Sequence, residues 1–299
     1  MTYHHPVLLN ESIEGLKIQP KGVYVDLTFG GGGHSREVLK KLGRKGRLIA
    51  FDQDPDAGEN IPGDPRVTFV RANFRFLKHF LRYYEIEQVD GILADLGISS
   101  HQIDEPERGF SFRTQGRLDM RMNSESSLDA AAVVNQYAPD ELKRLFRDYG
   151  ELNNAGQIAG AIVRGREQNP VDTAADLERV LGRLIPAKHP HSFLARVYQA
   201  LRIEVNHEME ALREMLVQTT SLVRPGGRFV VITYHSLEDR LVKNFFRSGN
   251  LEGAIEKDFY GNPLTPWILV NRNVITPGAE ELERNNRARS AKLRIAEKN

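Results

Sequence analysis

A doubly wound α/β core carrying an inserted all-helical domain is the fold this sequence predicts. Short apolar runs alternate with helix-like segments through the first ninety-five positions, which points to a parallel sheet covered by helices. After them comes a stretch of about a hundred residues with helical periodicity and no convincing strand, far longer than an ordinary loop. Sheet character resumes only at GRFVVITYHS.

In chain order, the first strand is expected over Val23 to Phe29 and runs into four consecutive glycines, YVDLTFGGGGHS. A helix over Ser35 to Leu42 follows, then strands at Arg47 to Asp52 and Val67 to Ala72, a helix at Phe74 to Tyr84, and a fourth strand at Val89 to Asp95. Within the insertion, helices are expected at Asp140 to Tyr149, Asn154 to Gln168, Ala174 to Leu184 and Phe193 to Arg202. Asp172 or Thr173 serves as one start signal, and the A-P-D-E opening at Ala138 as another. The RPGG at Arg224 to Gly227 reads as a turn ahead of a strand at Arg228 to Tyr234. These placements make residues 1–103 and 207–299 a discontinuous core and 104–206 the insertion.

The chain of 299 residues is 40% hydrophobic, enough for one large domain or two ordinary ones. It has no cysteine, so disulfides and thiolate metal sites are excluded, and no metal site is expected. MTYHHPVLLNE does not read as a signal peptide, and no run approaches the length of a membrane span, so the expectation is a cytoplasmic protein without membrane contact. The formal charge is +1, but unevenly spread: residues 284–299 hold six basic residues and one acid, a net +5 against −4 for the remainder. A basic run is a solvated segment or a contact for an anionic polymer.

A strand that ends in glycines and enters a helix brings backbone N–H groups and the positive helix end against a ligand, with no Cβ in the way. Gly30 to Gly33 before His34, Ser35 and Arg36 fit that geometry, and a plain turn is the competing reading. At the end of the next strand, FDQD offers Asp52 and Asp54, where a carboxylate accepts both hydroxyls of an adenosine ribose. Nicotinamide enzymes and S-adenosylmethionine (AdoMet) methyltransferases share these features. D-L-T-F-G-G-G-G-H departs from the dinucleotide fingerprint, and acids near the turn, Asp26 and Asp95, suit the ammonium of AdoMet better than a pyrophosphate. Asp26 is equally readable as a turn-stabilising carboxylate. Phe74, in ANF after the third strand, is an aromatic for an adenine or a core residue.

HHPVLLNE, DLTFGGGGHS, VDGILADLGISSHQID, RGFSF, LDMRM, QALRIEVN, YHSLEDR and NNRARSAKLR, in this order over nearly the whole chain, resemble the RsmH (MraW) family of ribosomal RNA methyltransferases. Two places depart from the usual pattern: HPHSFLARVY ahead of QALRI, and Tyr234 ahead of HSLEDR. The resemblance implies an AdoMet-dependent enzyme on a Rossmann-like core that methylates N4 of a cytidine in the decoding region of small-subunit (16S) ribosomal RNA. The inserted domain then serves the RNA substrate. Carried over residue by residue, the cofactor contacts fall on Gly32, Gly33, His34, Asp52, Phe74, Asp95 and Gln102. The implied partner is small-subunit ribosomal RNA, free or within the assembled subunit, and a homodimer is compatible.

Cytosine N4 is a poor nucleophile, so the chemistry needs positioning and an acceptor for the amino hydrogen. Asp95 is the first catalytic candidate, with a cofactor-orienting role as its alternative. His235 is the second, against a structural role in which its ring bonds Glu238 or Asp239. Phe110, Phe112 and Tyr234 are candidate walls for an extruded base or plain core residues. Arg108, Arg113, Arg117 and Arg121 suit phosphate contact, or form salt bridges of a hinge. Two rival readings are a non-catalytic RNA-binding or ribosome-assembly factor and a nicotinamide-dependent oxidoreductase.

Overall fold

The computed structural model describes residues 6–114 and 116–299, which leaves His4 and His5 of HHPVLLNE and Gln115 outside the described residues. The chain divides into two compact units, Met1–Gly97 with Glu210–Asn299, and Ile98–Met209.

The first unit is built on a seven-stranded sheet. Its strands are β1 (Val23–Asp26), β2 (Arg47–Asp52), β3 (Val67–Arg71), β4 (Val89–Asp95), β5 (Val223–Thr233), β6 (Trp267–Leu269) and β7 (Lys292–Lys298), in the order β3-β2-β1-β4-β5-β7-β6. Strands β1 to β5 pair in parallel, and β7 runs antiparallel to both β5 and β6. Leu48, Ile49, Ala50 and Phe51 of β2 are all fully buried, as expected of a parallel strand covered on both faces. Such pairs need crossovers, and the helices Gly33–Lys41 and Leu77–Tyr83 provide two of them. One face of the sheet packs Leu16, Tyr24, Leu48, Leu93, Val230, Ile232, Leu293 and Ile295 into a single apolar cluster. On strand β5 the alternate residue Phe229 joins Phe246 and Trp267, with ring centroids 5.3 and 5.9 Å away. The order reverses between β1 and β4, which fixes where an open α/β sheet receives its ligand: at the carboxyl ends of those strands.

Two expectations need correction. RPGG is not a turn ahead of β5 but lies inside it: Val223 pairs with Val89 and Arg228 with Gly91, so Arg224 to Gly227 bulge out of a strand that has already started. The solvated alternative for the basic carboxy-terminal run fails over its last part, while Arg284, Arg287 and Arg289 are exposed. Ala279–Arg284 is helical, and Lys292–Lys298 is a strand with β5 on one side and β6 on the other. Lys292 and Arg294 both reach Asp239, at 3.3 and 2.8 Å, and Arg228 pairs with Glu297 at 2.7 Å. Leu293 and Ile295, alternating with those cations, are in the core. The alternation of KLRI was the signal, and its charge density concealed it.

The second unit is helical. Ala130–Gln136, Pro139–Asp148, Ala155–Arg166, Ala174–Leu181 and Pro190–Asn206 enclose a core that includes Val133, Phe146, Ile158, Ile162, Leu177, Val197 and Leu201. Asp129 caps the first helix through Ala132 N–H, and Thr173 closes a capping box with Asp176. Asn206 binds Met120 O and Met122 N–H at 2.7 Å each, which pins LDMRM against the end of the long helix. Of the four arginines in RGFSFRTQGRLDMRM, three bond within the unit: Arg108 donates to Arg121 O and Met122 O, Arg117 pairs with Asp129 and Arg121 with Asp119, whereas Arg113 is exposed. Phe110 belongs to the core, and Phe112 packs against it beside His191 and Tyr198.

Candidate functional site

Strand β1 ends at Asp26, but the chain keeps its course. Leu27 N–H donates to Leu93 O and Phe29 N–H to Phe51 O, at 2.9 Å each, so the following turn begins at the rim of the sheet between β4 and β2. Three different reasons account for the glycines. Gly30 and Gly32 have φ of +50° and +72°, the left-handed region that side chains resist. A Cβ on Gly33 would fall 2.2 Å from Cγ of Pro6, so that position is closed by packing. A Cβ on Gly31 would meet nothing within 4 Å, leaving an exposed length of bare backbone. Gly32 is the N-cap of the helix Gly33–Lys41, and it has no side chain to bond the first amides.

Three carboxylates surround this turn. Asp26 is 2% exposed; its Oδ2 accepts from Ser35 Oγ at 2.6 Å and its Oδ1 from Thr28 N–H at 3.1 Å. It ties the strand end to the helix start, the turn-stabilising alternative for that residue. Asp52 ends β2 and accepts from Gly30 N–H at 2.7 Å and Asp54 N–H at 2.9 Å, which anchors the glycine turn to the neighbouring strand. Asp95 ends β4. Its N–H donates to Thr28 Oγ1 at 2.7 Å across the strand reversal, and its Oδ1 accepts from Tyr234 Oη–H at 2.8 Å. Burial raises the pKa of Asp26 and Asp52 to about 6 and that of Asp95 to about 7. Among the described residues, no Lys or Arg lies close enough to any of the three to lower it.

His34 stands beside Asp95. It is 6% exposed, and desolvation drops its pKa to about 4, so the ring is neutral at physiological pH. Nε2 lies 3.1 Å from Val7 O, an acceptor, so Nε2 carries the hydrogen and Nδ1 keeps a lone pair. That lone pair is 3.9 Å from Asp95 Oδ2. A neutral ring makes this no salt bridge. It is a pair of acceptors side by side, suited to a group that only donates, such as a primary ammonium.

Phe74, after β3, is half-buried in a short 3-10 turn whose N-cap, Asn73, binds Gln53 at 2.8 Å. Gln102 lies in the second unit, 5% exposed, and forms a reciprocal capping box with Ser99. Gly32, Gly33, His34, Asp52 and Asp95 therefore meet at one rim, whereas Gln102 has a cap of its own within the other unit. His235 is the N-cap of the helix Ser236–Ser248: Nδ1 accepts from Glu238 N–H at 3.4 Å, and Nε2 sits 3.1 Å from Glu238 Oε1, out of line for a hydrogen bond. Glu238 Oε2 in turn accepts from Tyr234 N–H at 3.0 Å. A cavity of about 280 Å³ is lined here by Tyr234, His235, Ser236, Thr276, Arg289 and Lys292. A larger depression of about 410 Å³ includes Val23 and Arg47, the first residues of β1 and β2, and so lies at the opposite end of the strands. Sequence reasoning had no access to the Tyr234–Asp95 bond, because 139 residues separate the partners.

The sheet order, the reversal between β1 and β4 and the glycine rim define a Rossmann-like protein of the methyltransferase class. Within that class, the model of the MraW methylase family matches residues 1–299, and the chain belongs to that family. Curated relatives agree in length as well as sequence. The chain is 58% identical over 298 residues to "Ribosomal RNA small subunit methyltransferase H" of Bacteroides thetaiotaomicron, covering 100% of this chain and 98% of the relative. The protein of the same name from Parabacteroides distasonis is 58% identical over 297 residues (99% and 97% covered), and that from Flavobacterium johnsoniae 55% over 298 residues (100% and 98%).

Proposed function

We propose that this protein is an AdoMet-dependent methyltransferase that acts on small-subunit ribosomal RNA and methylates N4 of a cytidine in the decoding region. The observation that carries the cofactor reading is the rim itself: open glycine backbone, a carboxylate at the end of β2, and two facing acceptors, His34 Nδ1 and Asp95 Oδ2, 3.9 Å apart. The residues fit the cofactor's chemistry. Asp52 has lone pairs left for ribose hydroxyls, His34 and Asp95 accept from the ammonium, Gly32 and Gly33 let the backbone approach, and Phe74 lies beyond β3 for the adenine. When bound, AdoMet supplies an electrophilic methyl on a sulfonium.

The substrate reading rests on relatives that are 53–58% identical and named for the ribosomal RNA small subunit. The position on the base rests on the family resemblance. An exocyclic amino group conjugated to the ring must be held in line and its hydrogen accepted. The protein contributes by placing the base and excluding water; after transfer, the cationic N4 is a strong acid that any nearby acceptor deprotonates. Asp95 is assigned first to the ammonium, since its Oδ2 faces neutral His34, and second to the amino group of the base. The capping geometry of His235 favours a structural role over that of a mobile base. Arg289, exposed and among the described residues without an ion-pair partner, lines the cavity with Tyr234 and is suited to an RNA phosphate. Such a substrate places the protein in the cytoplasm with the ribosome.

Methyl-labelled AdoMet incubated with naked small-subunit RNA and with assembled subunits, followed by nucleoside analysis, tests this. Label in N4-methylcytidine is expected. Label on a ring carbon, on a ribose or on protein overturns the assignment.

A further inference from the structure

Asp95 is held in a way that the cofactor reading alone does not explain. A carboxylate meant to stay charged is surrounded here by groups that oppose its charge. Asp26 from β1, Glu238 from the helix Ser236–Ser248 and Glu281 from the helix Ala279–Arg284 all raise its pKa on top of burial. His34, from the helix Gly33–Lys41, is neutral and turns a lone pair toward it. The side-chain group that favours the charged form is the Tyr234 hydroxyl, 2.8 Å from Oδ1.

We propose that Tyr234 is a positioning residue, whose hydroxyl orients Asp95 and keeps its carboxylate charged for the donor's ammonium. This rests on the cofactor reading of the rim and adds to it the residue that follows the carboxyl end of β5. The ring is well fixed for the task. Its backbone N–H is taken by Glu238 Oε2 at 3.0 Å. Its face lies against Gly97, where a Cβ would come 3.3 Å from Cδ2 of the tyrosine and where φ is +99°. Its hydroxyl is a dependable donor, because burial and Asp95 push the phenol well above its ordinary pKa of 10.0. With Oδ1 engaged by the phenol, Oδ2 is left facing His34 Nδ1, and the two acceptors are set side by side. Tyr234 also lines the cavity that contains Arg289.

The sign of the effect follows. Removing the hydroxyl removes the stabilisation of the charged carboxylate, so the pKa of Asp95 rises and the protonated, non-binding form persists to higher pH. The test is calorimetric binding of S-adenosylhomocysteine, the demethylated product, to the full chain between pH 6 and 8.5. In the wild type, affinity is expected to rise with pH through a midpoint of about 7. Tyr234→Phe is expected to move that midpoint up by about one unit, which weakens binding roughly tenfold at pH 6.5 and less than twofold at pH 8.5. Replacing Tyr234 by 3-fluorotyrosine, a stronger donor with the same shape, moves the midpoint the other way. That second variant keeps the test open should the phenylalanine variant not fold.

An unshifted midpoint in both variants, or a loss in Tyr234→Phe that is equal at every pH, sinks the proposal and leaves Tyr234 a packing residue. A wild-type protein that binds no S-adenosylhomocysteine at any pH defeats the cofactor reading instead. Asp95→Asn, which has no charge to hold, is expected to bind weakly at all pH values, and adding Tyr234→Phe to it should change the affinity less than twofold.

Discussion

The acids of the site rim and the acid at the opposite side of β5 are arranged on opposing principles. Asp239 is held by Arg294 at 2.8 Å and Lys292 at 3.3 Å, and its pKa is lowered in spite of burial. Among the described residues, Asp26, Asp52 and Asp95 have no Lys or Arg beside them, and their pKa values are raised. A structure selected only for stability would have paired them too. Buried acids left without countercharge cost folding energy, and the cost is recovered when a cation arrives. The contrast marks the rim as the place built for a ligand, and β7 as a place built to hold the sheet together.

The most drastic way to break the contrast is to remove β7. Deleting Lys292 to Asn299 takes a paired strand out of the sheet and Leu293 and Ile295 out of the core. The expected outcome is a protein with no cooperative unfolding transition in urea. A milder cut, Arg294→Met, leaves Asp239 with Lys292 alone and should cost about 1.5–3 kcal/mol in urea unfolding, the range for losing one charge-assisted hydrogen bond.

At the rim the sign reverses. Asp95→Asn is expected to leave the unligated protein as stable or up to about 2 kcal/mol more stable at pH 7.5, while S-adenosylhomocysteine affinity falls on the order of a hundredfold or more. A net destabilisation comparable to that of Arg294→Met would erase the distinction between the two regions. The same logic sets a pH dependence. Because the folded pKa values of Asp26, Asp52 and Asp95 stand above the ordinary 3.8, at about 6, 6 and 7, their contribution is fully present below pH 3.8 and lost as pH rises through 6 to 7. Asp239 works in the opposite sense, stabilising above 3.8 and losing its contribution as the solution is acidified further. The melting temperature of the unligated protein should therefore decline between pH 5 and 7.5, and the increment given by S-adenosylhomocysteine should grow over the same range. The smallest effect is expected of Arg289→Ala: stability within about 0.5 kcal/mol, a modest loss of RNA affinity, and a reduction of about one in the slope of log affinity against log salt. An unchanged slope removes Arg289 from the RNA interface.

Much of this contrast is legible in the sequence, for reasons that differ by residue. Strands β2 and β4 are legible to the residue because parallel strands buried on both faces carry continuous apolar stretches, here LIAF and GILA. The glycine turn is legible as a turn, but not the division of labour within it: the clash that excludes a side chain at Gly33 comes from Pro6, far back in the chain. The neutrality of His34 and the bond from Tyr234 to Asp95 are tertiary facts with no local signature. Lys292 to Lys298 shows the opposite failure. Alternating Leu293 and Ile295 carry a strand signal, and it is masked by cations that turn out to neutralise Asp239 and to frame the core. The capping role of His235 is half legible, since S-L-E places Glu238 three residues on, the spacing of a capping box.

Pro6 and Val7 sit on the glycine turn and His34, and the next residue, Leu8, donates its N–H to Glu281 at 2.8 Å. The segment Pro6 to Leu8 is thus joined to the helix Ala279–Arg284 beside His34, one of the acceptors proposed for the methyl donor. Any change that frees Leu8 from Glu281 therefore also loosens the packing that closes Gly33 and the carbonyl that fixes the tautomer of His34.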